Sequence, residues 1–243
     1  MKFKGRGAQQ NVANRFSELT HEERDDFKEY LMQEEGEISQ PKTTFIKTYP
    51  KSIVNEVPSP DISMQYSLNP YQGCEHGCIY CFARNTHEFW GYGAGLDFEQ
   101  KVLVKENAST LLEKHFQKKS WQVTPIILSG NTDCYQPIEK KLEITRSLLK
   151  LFLAYKHPVG IITKNALVQR DIDILQELAK DQLVRVMISV TSLSEKTRSI
   201  VEPRTASINK RLQTIEKLTV AGIPVGVMVA PIIPGINLSL IHI

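Results

Sequence analysis

The sequence predicts an α/β fold built on a parallel sheet. Two observations lead there. From residue 63 onward, short apolar or β-branched runs alternate with stretches of helical periodicity, the pattern of strand–helix–strand units with right-handed crossovers. A cysteine-rich loop follows directly on the first of those runs, at the carboxyl end of a strand, where such folds keep their chemistry.

Residues 1–16 carry Lys2, Lys4, Arg6 and Arg15 and no acidic residue. They read either as a mobile tail or as an arm over the active site or on a polyanion. Thr20-His-Glu-Glu23 is a capping-box pattern, and Phe27, Tyr30 and Leu31 form a weak apolar stripe, so a short acidic helix is expected. Residues 35–62 hold Gly36, Pro41, Pro50, Pro58 and Pro60 and read as an extended connector. The first core strand is Ser63–Leu68. Residues 85–97 read as a loop and Phe98–Val104 as an extra strand. Asn107 can cap a helix carrying Leu111, Leu112 and Phe116. Pro125–Leu128 is the second core strand. Pro137 opens a helix with Ile138, Leu142, Leu148, Leu149 and Phe152 at helical spacing, proline being suited to a first turn. Val159–Thr163 is the third strand, Asp171 opens a helix with Leu175 and Leu178, and Val184–Val190 is the fourth strand. Ser207 can cap the helix bearing Ile208, Leu212, Ile215 and Leu218, which Gly222 ends. Ile223–Val229 reads as a buried fifth strand.

The 243 residues are 41% hydrophobic and 23% charged, a globular composition sufficient for one core plus a tail. A net charge of +3 is too small to mark a dedicated nucleic-acid binder. No charged Asp, Glu, Lys or Arg occurs from Leu218 onward, but Gly222, Pro224, Gly226, Pro231, Pro234 and Gly235 interrupt that run, so no membrane span is expected. Four cysteines, three of them clustered, make no disulfide framework. With no signal-peptide pattern, they suit metal binding in a cytoplasmic protein.

The clustered cysteines are Cys74, Cys78 and Cys81, spaced C-x3-C-x2-C with Tyr80 before the last. Three thiolates on so short a loop can wrap one soft metal centre. On a 4Fe–4S cluster three cysteines leave one iron open. A structural zinc would need a fourth ligand, for which His76 or His87 are the neighbours. Ser129-Gly130-Asn131-Thr132-Asp133 follows the second strand, Lys164 closes the third and Ser189 the fourth. Glu202-Pro-Arg204 comes before the last helix and can equally be a local ion pair.

The cysteine spacing resembles that of the radical S-adenosylmethionine (SAM) enzymes. The longer strings Asn69-Pro-Tyr-Gln-Gly-Cys74-Glu-His-Gly-Cys78-Ile-Tyr80-Cys81-Phe-Ala-Arg84 and Lys4-Gly-Arg-Gly-Ala-Gln-Gln-Asn-Val-Ala-Asn-Arg15-Phe resemble an uncharacterised bacterial branch similar to spore photoproduct lyase. The resemblance implies a partial (β/α)6 TIM-like barrel with an N-terminal extension, five of whose six units can be counted here. It divides the chain into an extension and connector (1–62), a radical SAM core (63–237) and a tail (238–243). The family pattern would continue past Asn237, so the core is expected to be truncated. The closing Leu-Ser-Leu-Ile-His-Ile resembles a translated sequencing-adapter end and is expected to be non-native, so His242 is not offered as a ligand.

The resemblance further implies that Cys74, Cys78 and Cys81 ligate a 4Fe–4S cluster and that SAM chelates its open iron. Reduction from a donor such as flavodoxin or ferredoxin would then yield a 5′-deoxyadenosyl radical. Gly130, Asn131, Thr132 and Asp133 would hold the amino end of SAM, and Lys164 and Ser189 its carboxylate. Arg204 would reach SAM or a substrate anion, Glu202 the ribose hydroxyls, and Tyr80 would stand beside the cofactor. Val229–Gly235 would lie against the adenine. In spore photoproduct lyase a cysteine just ahead of a Thr/Ser-Asp pair donates hydrogen to the product radical. Here that position falls near Gly130, and Cys134 lies on the other side of Thr132-Asp133. Cys134 is therefore either a catalytic candidate reaching the site from that loop or a buried thiol. Repair or modification of a nucleic acid is the expected chemistry, with Phe89-Trp90-Gly-Tyr92 and the basic arm as its contacts. The competing class is a non-catalytic iron–sulfur or zinc protein acting as a redox or interaction module.

Overall fold

The computed structural model describes residues 3–17, 42–59, 61 and 64–237. The capping-box helix, Ser63 and the closing hexapeptide lie outside them. Five parallel strands stand side by side in chain order: β3 (Tyr66–Leu68), β6 (Ile126–Leu128), β7 (Val159–Thr163), β8 (Val184–Ser189) and β9 (Val225–Met228). The short strand β2 (Val54–Glu56) adds antiparallel to β3. A second sheet joins β1 (Thr44–Thr48), β5 (Lys101–Lys105) and β4 (Tyr71–Gln72), with β1 and β5 parallel. The proline-rich connector thus contributes two strands.

Helices follow the strands as the crossover rule requires. They are α1 (Leu96–Gln100), α2 (Ala108–Phe116), α3 (Glu139–Leu142), α4 (Ile144–Ala154), α5 (Ile172–Lys180), α6 (Glu195–Val201) and α7 (Ile208–Val220). Leu148, Leu149 and Phe152 of α4 and Ile174, Leu175 and Leu178 of α5 turn inward onto the core formed with Leu68, Ile126, Leu128, Ile161, Val186 and Ile188. Ser207 caps α7 by accepting from the Lys210 amide at 3.4 Å, and Ser194 caps α6 through Thr197 at 3.3 Å. Gly222 takes the left-handed conformation after α7, with φ of 74°.

Several expected elements differ. Phe98 opens no strand: α1 occupies Leu96–Gln100 and β5 begins only at Lys101. Residues 85–90, expected as loop, belong instead to a 3-10 helix that spans Phe82–Trp90. The helix expected from Pro137 breaks at Glu143, whose φ is 52°, into α3 and α4. Helix α6 forms where the sequence predicts no helix. Strand β9 is parallel as expected but forms the edge of the sheet, with Val227 exposed. Among the described residues no helix is long and apolar enough to cross a membrane.

Candidate active site

The sequence Asn69-Pro70 ends β3 and turns the chain towards the cysteines. Asn69 Oδ1 accepts from the Asn131 amide at 2.8 Å and the Thr132 amide at 3.2 Å, while Thr132 Oγ1 donates to the Tyr71 carbonyl at 2.7 Å. This ties the cysteine loop to the loop after β6. Gly73 then turns with φ of 82°, and a Cβ there would meet the Phe98 and Lys101 carbonyls at 3.0 Å. Gln136 donates to the Gly73 carbonyl at 3.1 Å and accepts from the Glu75 amide at 3.0 Å. Beyond it the Cys74 amide donates to the Phe98 carbonyl at 2.8 Å and the Ile79 amide to the Val201 carbonyl at 3.0 Å.

Cys74, Cys78 and Cys81 share the wall of one cavity of about 400 Å³ at the carboxyl ends of the parallel strands. His76, Tyr80 and Phe82 join them from the cysteine loop, Ser129 to Asp133 from β6, Thr163 and Lys164 from β7, Ser189 from β8, and Met228, Ala230 and Pro231 from β9. Burial raises the Cys74 thiol well above its ordinary value and the Cys81 thiol above it too. Burial also pushes Cys78 up to about 12, although Lys164 pulls the other way. Free, these are neutral thiols; as ligands they would be thiolates. Lys164 Nζ stands 5.9 Å from the centre of the Tyr80 ring. Ser189 Oγ is buried and has no hydrogen-bond partner among the described residues. A buried hydroxyl in that state calls for a partner.

Asp133 is held by its own chain. It accepts from Thr163 Oγ1, the Lys164 amide and the Tyr135 amide at 2.8–2.9 Å, and His76 Nδ1 lies 3.3 Å away. Burial alone would raise its carboxyl, but His76 and the amide donors outweigh it and the group titrates at about 2. His76 also meets Asn165 Nδ2 at 3.2 Å through its other nitrogen. Both nitrogens of the nearest candidate zinc ligand are therefore engaged. His87 is buried against Tyr92 and Phe98, away from the cavity wall. Among the described residues no group of three or more His, Cys, Asp or Glu closes on a single ion.

Three expected site residues do not reach the cavity wall. Glu202 is fully buried, and both of its carboxylate oxygens are engaged within the chain, by Arg211 at 2.5 Å, by Thr191 at 2.8 Å and by the Tyr80 hydroxyl. Arg204 pairs with Glu75 of the cysteine loop at 3.0 Å and is not part of the cavity wall. Cys134 is fully buried; its amide donates to Ser129 Oγ at 2.7 Å, and burial raises its thiol well above the ordinary value. Two further residues build the site without being expected in it: Asn69, whose signal in the sequence is its position at a strand end before proline, and His76 as the partner of Asp133.

The model of the radical SAM superfamily matches residues 68–242. An uncharacterized protein of Mycobacterium tuberculosis is 34% identical over 201 residues, covering 82% of this chain and 59% of that protein. An uncharacterized protein of Methanocaldococcus jannaschii is 31% identical over 194 residues, covering 79% of this chain and 69% of its own. The chain thus spans about 59% of the length of the mycobacterial relative. Among solved structures, spore photoproduct lyase complexed with dinucleoside spore photoproduct is similar in fold, with a TM-score of 0.57 at 21% identity over 79% of this chain and 52% of the lyase. A mutant of spore photoproduct lyase with bound AdoMet and dinucleoside spore photoproduct gives a TM-score of 0.56 at 20% identity over 77% of this chain and 51% of that one. The cysteine loop, the strand-end cavity and the matched span together place this chain: it belongs to the radical SAM superfamily.

Proposed function

We propose that the chain is the catalytic part of a radical SAM enzyme, its parallel strands forming most of a partial (β/α)6 barrel over residues 63–237. The observation that carries this reading is that the three motif thiols, Lys164 and the Ser189 hydroxyl, which has no partner among the described residues, share one cavity. Cys74, Cys78 and Cys81 would hold a 4Fe–4S cluster. Thiols spread around a cavity, with the nearest histidine already engaged, suit a polynuclear cluster better than a closed four-coordinate zinc. When bound, the cluster and SAM supply a one-electron cleavage that yields a 5′-deoxyadenosyl radical.

The chain's own groups bind and orient. Lys164 Nζ offers a cation to the SAM carboxylate, Ser189 Oγ offers it a hydroxyl, and the Gly130–Thr132 loop lies where the amino end would sit. Asp133 shapes that loop from within, and Tyr80, held by Glu202, forms a wall. A redox or interaction module would need no such groups at successive strand ends. The proposed substrate class is a nucleic acid, by analogy with the lyase solved with a dinucleoside photoproduct. The proposed electron donor is a flavodoxin or ferredoxin and the proposed compartment the cytoplasm.

The test is SAM binding to the anaerobically reconstituted protein, followed by electron paramagnetic resonance. The wild type is expected to take up iron and sulfide, with a cluster signal that SAM shifts. Lys164→Ala is expected to keep the cluster and weaken SAM binding by about 10–100-fold, the loss of one charge-assisted hydrogen bond of roughly 1.5–3 kcal/mol. A cluster signal that SAM leaves unchanged in the wild type would contradict the reading.

A further inference from the structure

Residues 6–15 have no secondary structure of their own, yet they lie in a seat made for them beside the cysteine loop. Glu99 is the centre of that seat and is fully buried. Its Oε1 accepts from the Ala8 amide at 2.8 Å and from Arg84 Nη2 at 2.6 Å, and its Oε2 accepts from the Gly7 amide at 3.1 Å. Arg6 Nη1 donates to the Glu99 carbonyl at 2.8 Å. Further along, the Leu96 amide donates to the Gln10 carbonyl at 3.1 Å and the Asp97 amide to Asn11 Oδ1 at 3.0 Å. Arg15 Nε closes the run on Glu88 at 2.7 Å.

The seat also excludes side chains. A Cβ on Gly7 would lie 1.8 Å from the Gly77 carbonyl oxygen, and one on Gly95 would lie 2.2 Å from the Gln10 oxygen. Gly77 is the residue before Cys78. Arg84 bridges to the same place: it donates to the Cys78 carbonyl through Nε at 3.2 Å and Nη2 at 2.9 Å while holding Glu99. One buried carboxylate thus joins the N-terminal segment to the backbone of a motif cysteine.

We propose that residues 6–15 form a strap that positions the Cys78 part of the cysteine loop, with Glu99 as the positioning residue acting through Arg84. The inference rests on the reading that this loop carries a cluster. Its mechanical half stands apart from that reading, because the contacts are made by the protein alone. A loop already held needs less ordering when it takes up its ligand. The strap would therefore make the cluster harder to lose.

The test has two arms on the full chain. In the first, hydrogen exchange of the metal-free protein is compared for wild type, Gly7→Ala and Glu99→Gln. Exchange at residues 78–84 and 96–97 is expected to rise about tenfold or more in both variants, while β7 and β8 exchange as in the wild type. If Gly7→Ala loosens the whole fold, a chain lacking residues 1–15 takes its place, since it removes the strap without a clash. In the second, the reconstituted proteins are challenged with an iron chelator, and absorbance is expected to decay about tenfold faster in the variants. Wild-type exchange at 78–84 in the variants would overturn the strap. So would equal cluster decay. A wild type that takes up no iron would instead overturn the cluster reading, and the exchange arm would still judge the strap.

Discussion

Glu202→Ala is expected to destabilise the fold by about 3–5 kcal/mol, the usual cost of stranding one partner of a buried ion pair. Both Glu202 and Arg211 are fully buried, 2.5 Å apart. Arg211 spends its other donors on the Ser189 and Ala206 carbonyls at 2.9 Å and on Thr205 Oγ1 at 2.5 Å. Removing the carboxylate leaves a buried guanidinium without the one acidic group it contacts among the described residues and frees the Thr191 and Tyr80 hydroxyls. The cost would be a large part of the ~5–15 kcal/mol that holds a domain together. Urea unfolding of the metal-free protein measures it. Because Tyr80 lines the cavity, the variant should also bind SAM poorly in whatever fraction remains folded. A change in stability below about 1 kcal/mol would show that Arg211 finds another partner.

Asp133→Ala carries the second large effect, on the order of 3 kcal/mol or more. The substitution strips an acceptor from Thr163 Oγ1 and from the Lys164 and Tyr135 amides, and a partner from His76. Three strand-end segments lose their common tie at once. The wild type should show the same group in its acid response. Its carboxyl titrates at about 2, below the unfolded 3.8. Its stabilisation is therefore complete above 3.8 and is lost as pH falls from there towards 2. Acid unfolding of the metal-free wild type should steepen in that window, and Asp133→Ala should lack that component. Parallel acid curves for the two proteins would contradict this role.

What the sequence made legible is mostly local. The C-x3-C-x2-C spacing, the strand runs and the serine cap of α7 are each set within a few residues, and the parallel order of β3, β6, β7, β8 and β9 follows from their regular alternation with helices. What it hid is long-range. Arg6 and Glu99 are 93 residues apart, so nothing near Arg6 announces a seat, and the sequence alone does not tell a docked arm from a mobile tail. Strand β1 lies among prolines and exists through its pairing with β5, Thr44 against Lys101. Glu202 and Arg204 looked like a pair with each other or with a ligand, because their true partners, Arg211 and Glu75, are set by the tertiary fold. The apolar run of β9 predicts a buried strand, yet composition does not reveal which strand will form an edge.

Reductive cleavage of SAM in this cavity is the chemistry proposed for the chain. The most direct measurement is chromatographic detection of 5′-deoxyadenosine after anaerobic reconstitution, dithionite reduction and addition of SAM, with Cys78→Ala run in parallel. Formation of 5′-deoxyadenosine by the wild type and none by Cys78→Ala is the predicted result. A wild type loaded with iron and sulfide that yields no 5′-deoxyadenosine, or a Cys78→Ala variant that yields as much, would contradict it.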